Sequence, residues 1–252
     1  MGKRIALIII SLGLVTGFGQ DLETDRPDQT ESSNTIPKGT FQIESGMGVE
    51  LTTTGAYGSP NVSRSFTVPT SLFRIALTDF LEARFVNTLR RNSTQSSGGF
   101  VTGKSWQIDD LQVGAKIRFF KGDGWKPQIG LMSHVLMPVG SEYQNRFGVI
   151  NKLLISHDFK NGMSLGYNLG YNYLGKGTGD FNYSISLAFP VTERIGVYIE
   201  AYTLDAFYTP SHADAGFTFM LKDNIQLDYS FGLGITNRSN YQAIGISIRM
   251  PK

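Results

Sequence analysis

Alternation of apolar and polar residues at every second position dominates the chain from residue 38 onward. In 163–174 (MSLGYNLGYNYL), bulky residues occupy the odd positions, and Ser, Gly or Asn occupy the even positions as far as 172. The segments 181–189 and 225–234 repeat this pattern. A period of two is typical of β-strands with two different faces, and no comparable stretch has a sustained helical period. The sequence therefore predicts an all-β protein.

The alternating segments are long and even in number. Soluble strands usually have about five or six residues, whereas a tilted transmembrane strand needs about 9–11. The segments here have about 9–13 residues, and bacterial single-chain barrels have an even number of strands. Twelve strands are predicted, at 39–51, 65–77, 81–90, 108–119, 126–137, 147–158, 163–174, 181–189, 194–204, 212–221, 225–234 and 241–250.

The predicted links between strands alternate in length. Odd-numbered links such as 52–64 and 91–107 are longer and polar, whereas even-numbered links such as 78–80 and 222–224 are turns. Short turns at one end and longer loops at the other are typical of outer-membrane barrels, whose turns face the periplasm. The alternation places both termini at the turn end, and the long links outside the cell.

The composition of the two strand faces favours a membrane barrel over a soluble β-fold. One face is rich in Phe, Tyr, Leu and Ile and nearly free of charge, while the other carries Gly, Ser, Asn and the ionisable residues. Lipid outside and a polar lumen inside produce this distribution. We therefore predict a closed, antiparallel, up-and-down transmembrane β-barrel of about 12 strands. The candidate lumen residues are Glu44, Arg74, Glu82, Arg84, Lys116, Arg118, Lys152, Glu200, Asp214, Asp228 and Arg249.

Two interpretations of these lumen charges stay open. They pair across strands and stiffen the barrel, or the basic residues line a path that selects anionic solutes. Basic residues lie on the second, third, fourth and sixth predicted strands, while Glu200, Asp214 and Asp228 lie on the ninth to eleventh. This arrangement would produce a transverse field across the pore.

The N-terminus has the features of a secretory signal peptide. Lys3 and Arg4 precede the apolar run 5–15, and small residues at Gly17 and Gly19 predict cleavage before Gln20. The alternative is an uncleaved anchor. We expect a signal peptide at 1–19, a polar N-terminal segment at 20–37 and the barrel at 38–252. The expected location is the bacterial outer membrane.

The expected partners follow from this location. They are outer-membrane lipid, a small-molecule solute and the barrel-assembly machinery during insertion. The formal net charge is only +2, and the signal peptide accounts for it, so no nucleic-acid partner is expected.

The polar segment that precedes the first strand has two possible roles. It is either a disordered periplasmic tail or a small plug that folds into the lumen. Candidate plug residues, which would pair with lumen charges, are Asp25, Arg26, Asp28 and Glu31.

Catalytic and metal sites are not indicated by the sequence. The chain has no cysteine, and its histidines are His134, His157 and His212. Neighbouring residues on a strand point to opposite faces, so the run 156–158 (Ser-His-Asp) cannot form a catalytic triad by itself. We expect no enzymatic activity, no cofactor and no metal.

A family resemblance adds to this interpretation. The run 24–32 (TDRPDQTES), followed by 36–44 (IPKGTFQIE), resembles the opening of the family described as Putative MetA-pathway of phenol degradation. Further similarity lies at 73–82, at 137–140 and from Asp214 to Gly245. The resemblance implies an outer-membrane barrel that admits small, often hydrophobic or aromatic compounds. The chain departs from such barrels in ending on Met-Pro-Lys rather than on an aromatic residue.

The expected function is therefore passive uptake of small solutes, including hydrophobic or aromatic ones, through a polar lumen. The alternative is a structural or adhesive barrel that binds through its outer loops. A lipid-modifying enzyme of the outer membrane is the third and weakest interpretation.

Overall fold

A computed structural model describes residues 22–56, 59–103, 105–109, 111–139, 146–175, 177–203 and 211–250. The predicted signal peptide and its cleavage site at Gly19–Gln20 lie outside the described residues. In the described part of the chain, no helix is long and apolar enough to cross a membrane.

Fourteen strands make up a single sheet. In chain order they are β1 (Phe41–Thr54), β2 (Asn61–Ala76), β3 (Leu81–Gln95), β4 (Val101–Thr102), β5 (Trp106–Ile108), β6 (Leu111–Phe120), β7 (Gln128–Met137), β8 (Gly148–Asp158), β9 (Ser164–Tyr173), β10 (Asp180–Pro190), β11 (Ile195–Thr203), β12 (His212–Lys222), β13 (Ile225–Gly234) and β14 (Arg238–Met250).

Twelve of these strands form a closed ring. Each pairs antiparallel with the next in the order β1, β2, β3 and then β6 to β14, and β14 pairs with β1 to close the barrel. Closure removes the unpaired sheet edges that an open sheet would leave. The predicted class, a closed antiparallel up-and-down barrel of twelve strands, is confirmed.

The short strands β4 and β5 were not predicted. They pair with the end of β3 inside the predicted link 91–107, and they are too short to show a period of two. The sheet also extends further into the loops than predicted. The strand β2 begins at Asn61 rather than at 65, and β3 ends at Gln95 rather than at 90.

The two ends of the barrel carry different links. The turn end has the links 77–80, 121–127, 159–163, 191–194 and 223–224, and β1 begins there. The loop end has the links 55–60, 96–110, 138–147, 174–179, 204–211 and 235–237. The final link, 235–237, is shorter than the alternation predicts.

The outer face of the barrel is apolar and the inner face is polar. Leu169, Ile199 and Leu233 point outward and remain 56–57% exposed, whereas Arg74 and Lys116 point inward with none of their surface accessible. A soluble protein would bury the first group and expose the second. The outer face is therefore suited to lipid, as in transmembrane barrels.

Residues 22–36, the lumen segment, lie inside the barrel. Leu22 and Ile36, near its two ends, are buried at 2% and 0% exposure. The segment joins β1 through a turn in which Gly39, with a positive φ of 73°, donates its N–H to the Ala76 carbonyl at 3.0 Å. Glycine reaches this left-handed backbone without strain. Both ends of the segment therefore lie near the turn end of the barrel.

Candidate functional site: the lumen and its N-terminal segment

Asp25 is the most strongly held residue of the lumen segment. Its carboxylate lies 3.3 Å from Arg74, 2.5 Å from Arg84 and 2.8 Å from Lys116. These cations come from β2, β3 and β6, and all three point into the lumen, where they are buried. Burial opposes the charge of Asp25, but the three cations outweigh it and hold the pKa of its carboxyl well below its usual range.

Glu44 and Glu82, which belong to the barrel wall, form ion pairs with cations of the same group. Arg74 pairs with Glu44 at 2.8 Å and with Glu82 at 3.0 Å. The wall carboxylates also accept hydrogen bonds from the segment backbone, since the Asp25 N–H donates to Glu44 at 2.9 Å and the Ile36 N–H to Glu82 at 3.0 Å. Wall and segment thus form one network in which each buried charge has an opposite partner. Removal of one partner from such a network destabilises the protein strongly, because it leaves the opposite charge buried and unpaired.

Glu31 forms a second attachment. Its carboxylate pairs with Arg84 at 2.9 Å and with Lys152 at 3.0 Å. Its backbone exchanges two hydrogen bonds with Asn168, at 2.7 and 2.9 Å. Burial opposes the charge of Glu31, but Lys152 and Arg84 lower the pKa of its carboxyl to about 2.

Arg26 reaches the opposite wall of the barrel. Its guanidinium pairs with Asp228 of β13 at 3.0 Å and donates to the Ile244 carbonyl of β14 at 3.3 Å. Small residues make room for it, because a Cβ on Gly46 would lie 2.5 Å from the guanidinium nitrogen. Gly46 therefore allows the guanidinium of Arg26 to approach the backbone closely, and it is not part of a turn.

The tip of the lumen segment, Asp28 to Thr30, contacts β10 and β11. The Gln29 N–H donates to Glu200 at 2.8 Å, and the Thr30 hydroxyl bonds to Ser184 at 2.8 Å and to Glu200. Asp214 of β12 accepts a hydrogen bond from the Tyr241 hydroxyl. Among the described residues, no cation lies within 4.0 Å of Asp28, Glu200 or Asp214.

Asp28 lies in an unfavourable place for a negative charge. Burial raises the pKa of its carboxyl, and the charge of Asp214 adds to the effect, so that the pKa is about 7. The tip of the lumen segment is thus held by hydrogen bonds without ion pairs, whereas the rest of the segment is held by ion pairs.

A cavity of about 510 Å³ lies between the lumen segment and the wall formed by β8 to β12. It is also bordered by the links 159–163 and 191–194, which places it at the turn end. Its lining includes small residues and aromatic rings, among them Gly166, Ser186, Gly196, Phe159, Phe189 and Tyr198, together with charged side chains such as Asp158, Lys160 and Glu193. The segment thus fills one side of the lumen and leaves the other side partly open.

The predicted lumen residues all lie on the inner face of the barrel. Arg118 and Arg249 lie at the turn-end rim, where Arg118 donates to the Asp79 carbonyl at 2.6 Å and Arg249 is paired in register with Gln42. The basic residues Arg74, Arg84, Lys116 and Lys152 are brought together with carboxylates, so the pairing interpretation describes the contacts of these four in this structure. Several neutral partners, notably Gln42, Asn168 and Ser184, were missed. Their even position on the polar face was the available signal.

The histidines do not form a catalytic group with the nearby Ser and Asp. Ser156 and Asp158 point inward, while His157 points outward and contacts the Tyr167 hydroxyl at 3.4 Å. His134 accepts a hydrogen bond from Arg84 at 3.1 Å as part of the lumen network. Within the described ranges, no cluster of His, Asp or Glu has the arrangement of a metal site.

The comparison with solved structures supports the fold. An outer membrane channel from Pseudomonas putida F1 matches with a TM-score of 0.65 at 12% identity, over 86% of this chain and 98% of that one. The translocator domain of the autotransporter NalP from Neisseria meningitidis matches with a TM-score of 0.48 at 13% identity, over 84% and 88% of the two chains. The P. putida toluene transporter TodX matches with a TM-score of 0.47 at 8% identity, over 83% and 88%.

A search of curated proteins gives no match. The family model described as Putative MetA-pathway of phenol degradation matches residues 24–250, which include all of the lumen segment after its first two residues and every strand of the barrel. By this match, the chain belongs to the Putative MetA-pathway of phenol degradation family.

Proposed function

We propose that this protein is a passive outer-membrane channel for small solutes, and that the lumen segment closes it in the state described here. The observation that carries the proposal is the arrangement of the lumen. A polar segment is fixed by ion pairs on one side, and a cavity of about 510 Å³ is left on the other. A cavity of this size is in the range that accommodates a small molecule.

The apolar outer face, the family and the predicted signal peptide support the outer-membrane location. In this proposal the chain is exported, loses residues 1–19 and is inserted by the barrel-assembly machinery. The turn end then faces the periplasm and the loop end faces the outside. Lipid covers the outer face, which carries side chains such as Leu169 and Ile199.

Small solutes with hydrophobic or aromatic parts are the proposed cargo. The cavity combines the rings of Phe159, Phe189 and Tyr198 with small polar side chains, which suits compounds that are only partly polar. The solute would pass on the side of β8 to β12 once the tip of the segment moves. No catalytic step is part of this function.

Complete release of the segment, beyond the movement of its tip, would also change the charge of the pathway. Asp25 and Glu31 would leave with it, which uncovers Arg84, Lys116 and Lys152. An open lumen therefore attracts anions more strongly than the closed one. Reversal of both Arg84 and Arg118 to Glu is expected to shift the ion selectivity of open channels towards cations in a planar bilayer. Unchanged selectivity would leave these residues a structural role alone.

A reversible lock on the segment tests the closure directly. The chain has no cysteine, so the double variant Thr30→Cys/Ser184→Cys introduces a single disulfide between segment and wall, where the two hydroxyls lie 2.8 Å apart. We expect the oxidised variant to show fewer and shorter openings in planar bilayers, and reduction to restore the wild-type behaviour.

The matched control places the same bond within the wall. Ser63 and Thr94 on β2 and β3 lie 3.1 Å apart, so Ser63→Cys/Thr94→Cys adds a disulfide that does not touch the segment. This control should conduct as wild type does in both redox states. If the segment lock leaves conductance unchanged, the segment is not the closing element. If the wild type gives no conductance and no liposome swelling under any condition, the barrel is structural or adhesive.

A further inference from the structure

The outer face of the barrel carries very few charges, and those it carries are clustered. Odd positions of β3 and even positions of β14 face outward, because their neighbours face the lumen. Apart from Lys222, which follows a bulge at the last position of β12, the charged outward side chains of the described strands are Arg64, Arg91 and Arg238. All three are arginines, and all three lie towards the loop end.

These arginines belong to neighbouring strands. In the register of the sheet, Arg64 of β2 is opposite Ser93, and Arg91 of β3 is opposite Phe66, so the two arginines are diagonal neighbours. Such diagonal positions are about 7–8 Å apart, within reach of one headgroup. Arg238 of β14 is opposite Thr53 of β1, and β1 in turn pairs with β2. The three side chains thus form one basic patch, the rim arginines, across four adjacent strands.

The rim arginines lie beyond the apolar band. A rise of about 3.3 Å per residue and a tilt of about 40° mean that roughly ten strand residues cross a band about 25 Å tall. Counted from the turn end, the tenth residue of β2 is Thr67 and the tenth of β3 is Arg90, so Arg91 follows directly and Arg64 lies three residues further along β2. An arginine is costly at the bilayer midplane, but the cost becomes small at this depth near the interface.

A groove lies between Arg64 and Arg91. Its volume is about 350 Å³, and Phe66, Ser93 and Val101 complete its lining. The ring of Trp106 packs edge-on against Phe66 at 5.9 Å, and Arg91 lies over the same indole at 5.9 Å. The short strand β4, which carries Val101, thus lines one side of the groove, and Trp106 of β5 packs against its lining residues Phe66 and Arg91. The groove is cationic at its rim and apolar at its base.

We propose that the rim arginines and this groove bind a lipid of the surrounding leaflet whose headgroup carries phosphate monoesters. Paired guanidinium groups are suited to phosphate oxygens, and they bind them better than a single charge does. The apolar base, continuous with the lipid-covered outer face through Phe66, gives an acyl chain a surface that a soluble phosphate cannot use. This inference rests on the outer-membrane location proposed above, with the loop end outward.

Lipid retention by the folded barrel tests this site. The detergent-solubilised full chain is incubated with lipid A, a diphosphorylated acylated disaccharide, or with phosphatidylethanolamine, and bound lipid is counted by native mass spectrometry. We expect the wild type to retain lipid A, and the double variant Arg64→Gln/Arg91→Gln to retain at least tenfold less. Phosphatidylethanolamine should be retained weakly and equally by both.

A matched variant and two readouts make the result decisive. Arg194→Gln removes an exposed arginine at the turn end and should retain lipid A as wild type does. Folding of each variant is checked by heat-modifiable migration, and its conductance should equal that of wild type, so failure of this site is distinct from failure of the channel. Equal retention by Arg64→Gln/Arg91→Gln and wild type would overturn the proposal. So would complete displacement of lipid A by millimolar inorganic phosphate, which would assign the groove to a free anion.

Discussion

The two sides of the lumen hold the same segment in different ways. On the side of β1, β2, β3 and β6, Asp25 is surrounded by cations that wall carboxylates brace in turn. On the side of β10 to β12, Gln29 and Thr30 make hydrogen bonds to Glu200 and Ser184 next to an open cavity. We call these the ionic side and the cavity side.

The ionic side attaches the segment to the wall, whereas the cavity side allows the tip of the segment to move. A buried network of opposite charges is strong only while it is complete, because each lost partner leaves an unpaired charge behind. Single hydrogen bonds cost less to exchange for water, about 0.5–1.5 kcal/mol between neutral groups and about 1.5–3 kcal/mol where one group is charged. The tip on the cavity side can therefore shift while Asp25 stays in place. A solute path along β8 to β12 needs only this smaller motion.

Removal of the Asp25 charge should break the ionic side. In Asp25→Asn, Arg84 and Lys116 lose their shared partner, and we expect the free energy of opening of the lumen segment to fall by roughly 3–5 kcal/mol. Hydrogen exchange of the amides of residue 25 and Ile36, which donate to Glu44 and Glu82 on the ionic side, measures this opening. Exchange as slow as in wild type would mean that the segment does not depend on the ionic side.

Loss of the Glu31 charge tests the link between the two sides. Glu31→Gln gives up the pairs with Arg84 and Lys152 but keeps the backbone hydrogen bonds to Asn168. We expect opening to become easier by about 2 kcal/mol, which is less than for Asp25→Asn. The same exchange experiment compares the two variants directly, and an equal effect would contradict the ranking of the two attachments.

The pH dependence of docking should come from the cavity side. The docked pKa of Asp28 is about 7, raised from 3.8 by burial and by Asp214. Because the pKa of Asp28 is higher in the docked segment, protonation of Asp28 favours the docked state. This stabilisation is complete below about pH 4 and is lost as the pH rises from 4 to 7. Openings in planar bilayers should therefore become several-fold more frequent from pH 4 to pH 8.

Asp28→Asn removes the titrating group and should flatten this profile. The variant should resemble the wild type at pH 4 and open less often than the wild type at pH 8. The neighbouring acids Glu200 and Asp214 are unchanged in it, so a profile that keeps its full slope would assign the titration to them.

The smallest effect is expected far from both sides. Asp109 pairs with Arg90 at 2.8 Å near the loop end, where the two side chains are 30% and 42% exposed. Asp109→Asn should change stability by about 0–1 kcal/mol, because water screens exposed pairs. Denaturant unfolding in detergent measures this, and a loss as large as that of Asp25→Asn would remove the distinction between buried and exposed pairs.

The barrel was predictable and the position of the lumen segment was not. The period of two identifies the strands and their inward residues, because each strand must satisfy lipid and lumen at once. Residues 22–36 have no such period, so tail and plug could not be distinguished from the sequence. The contact between Arg26 and Asp228 depends on the closure of the ring, which local patterns do not encode. The rim arginines were visible in the sequence only as exceptions to an uncharged face.

The course of the lumen segment has a mechanical consequence. The segment enters and leaves the barrel at the turn end, since Leu22 borders the links 159–163 and Thr35 bonds to the Asp79 carbonyl. A force applied to Leu22 along the barrel axis would therefore break the contacts of the segment with the wall one after another. It would not have to shear all the ion pairs together. Strong equilibrium closure and easy extraction by a pulling force are compatible in this geometry.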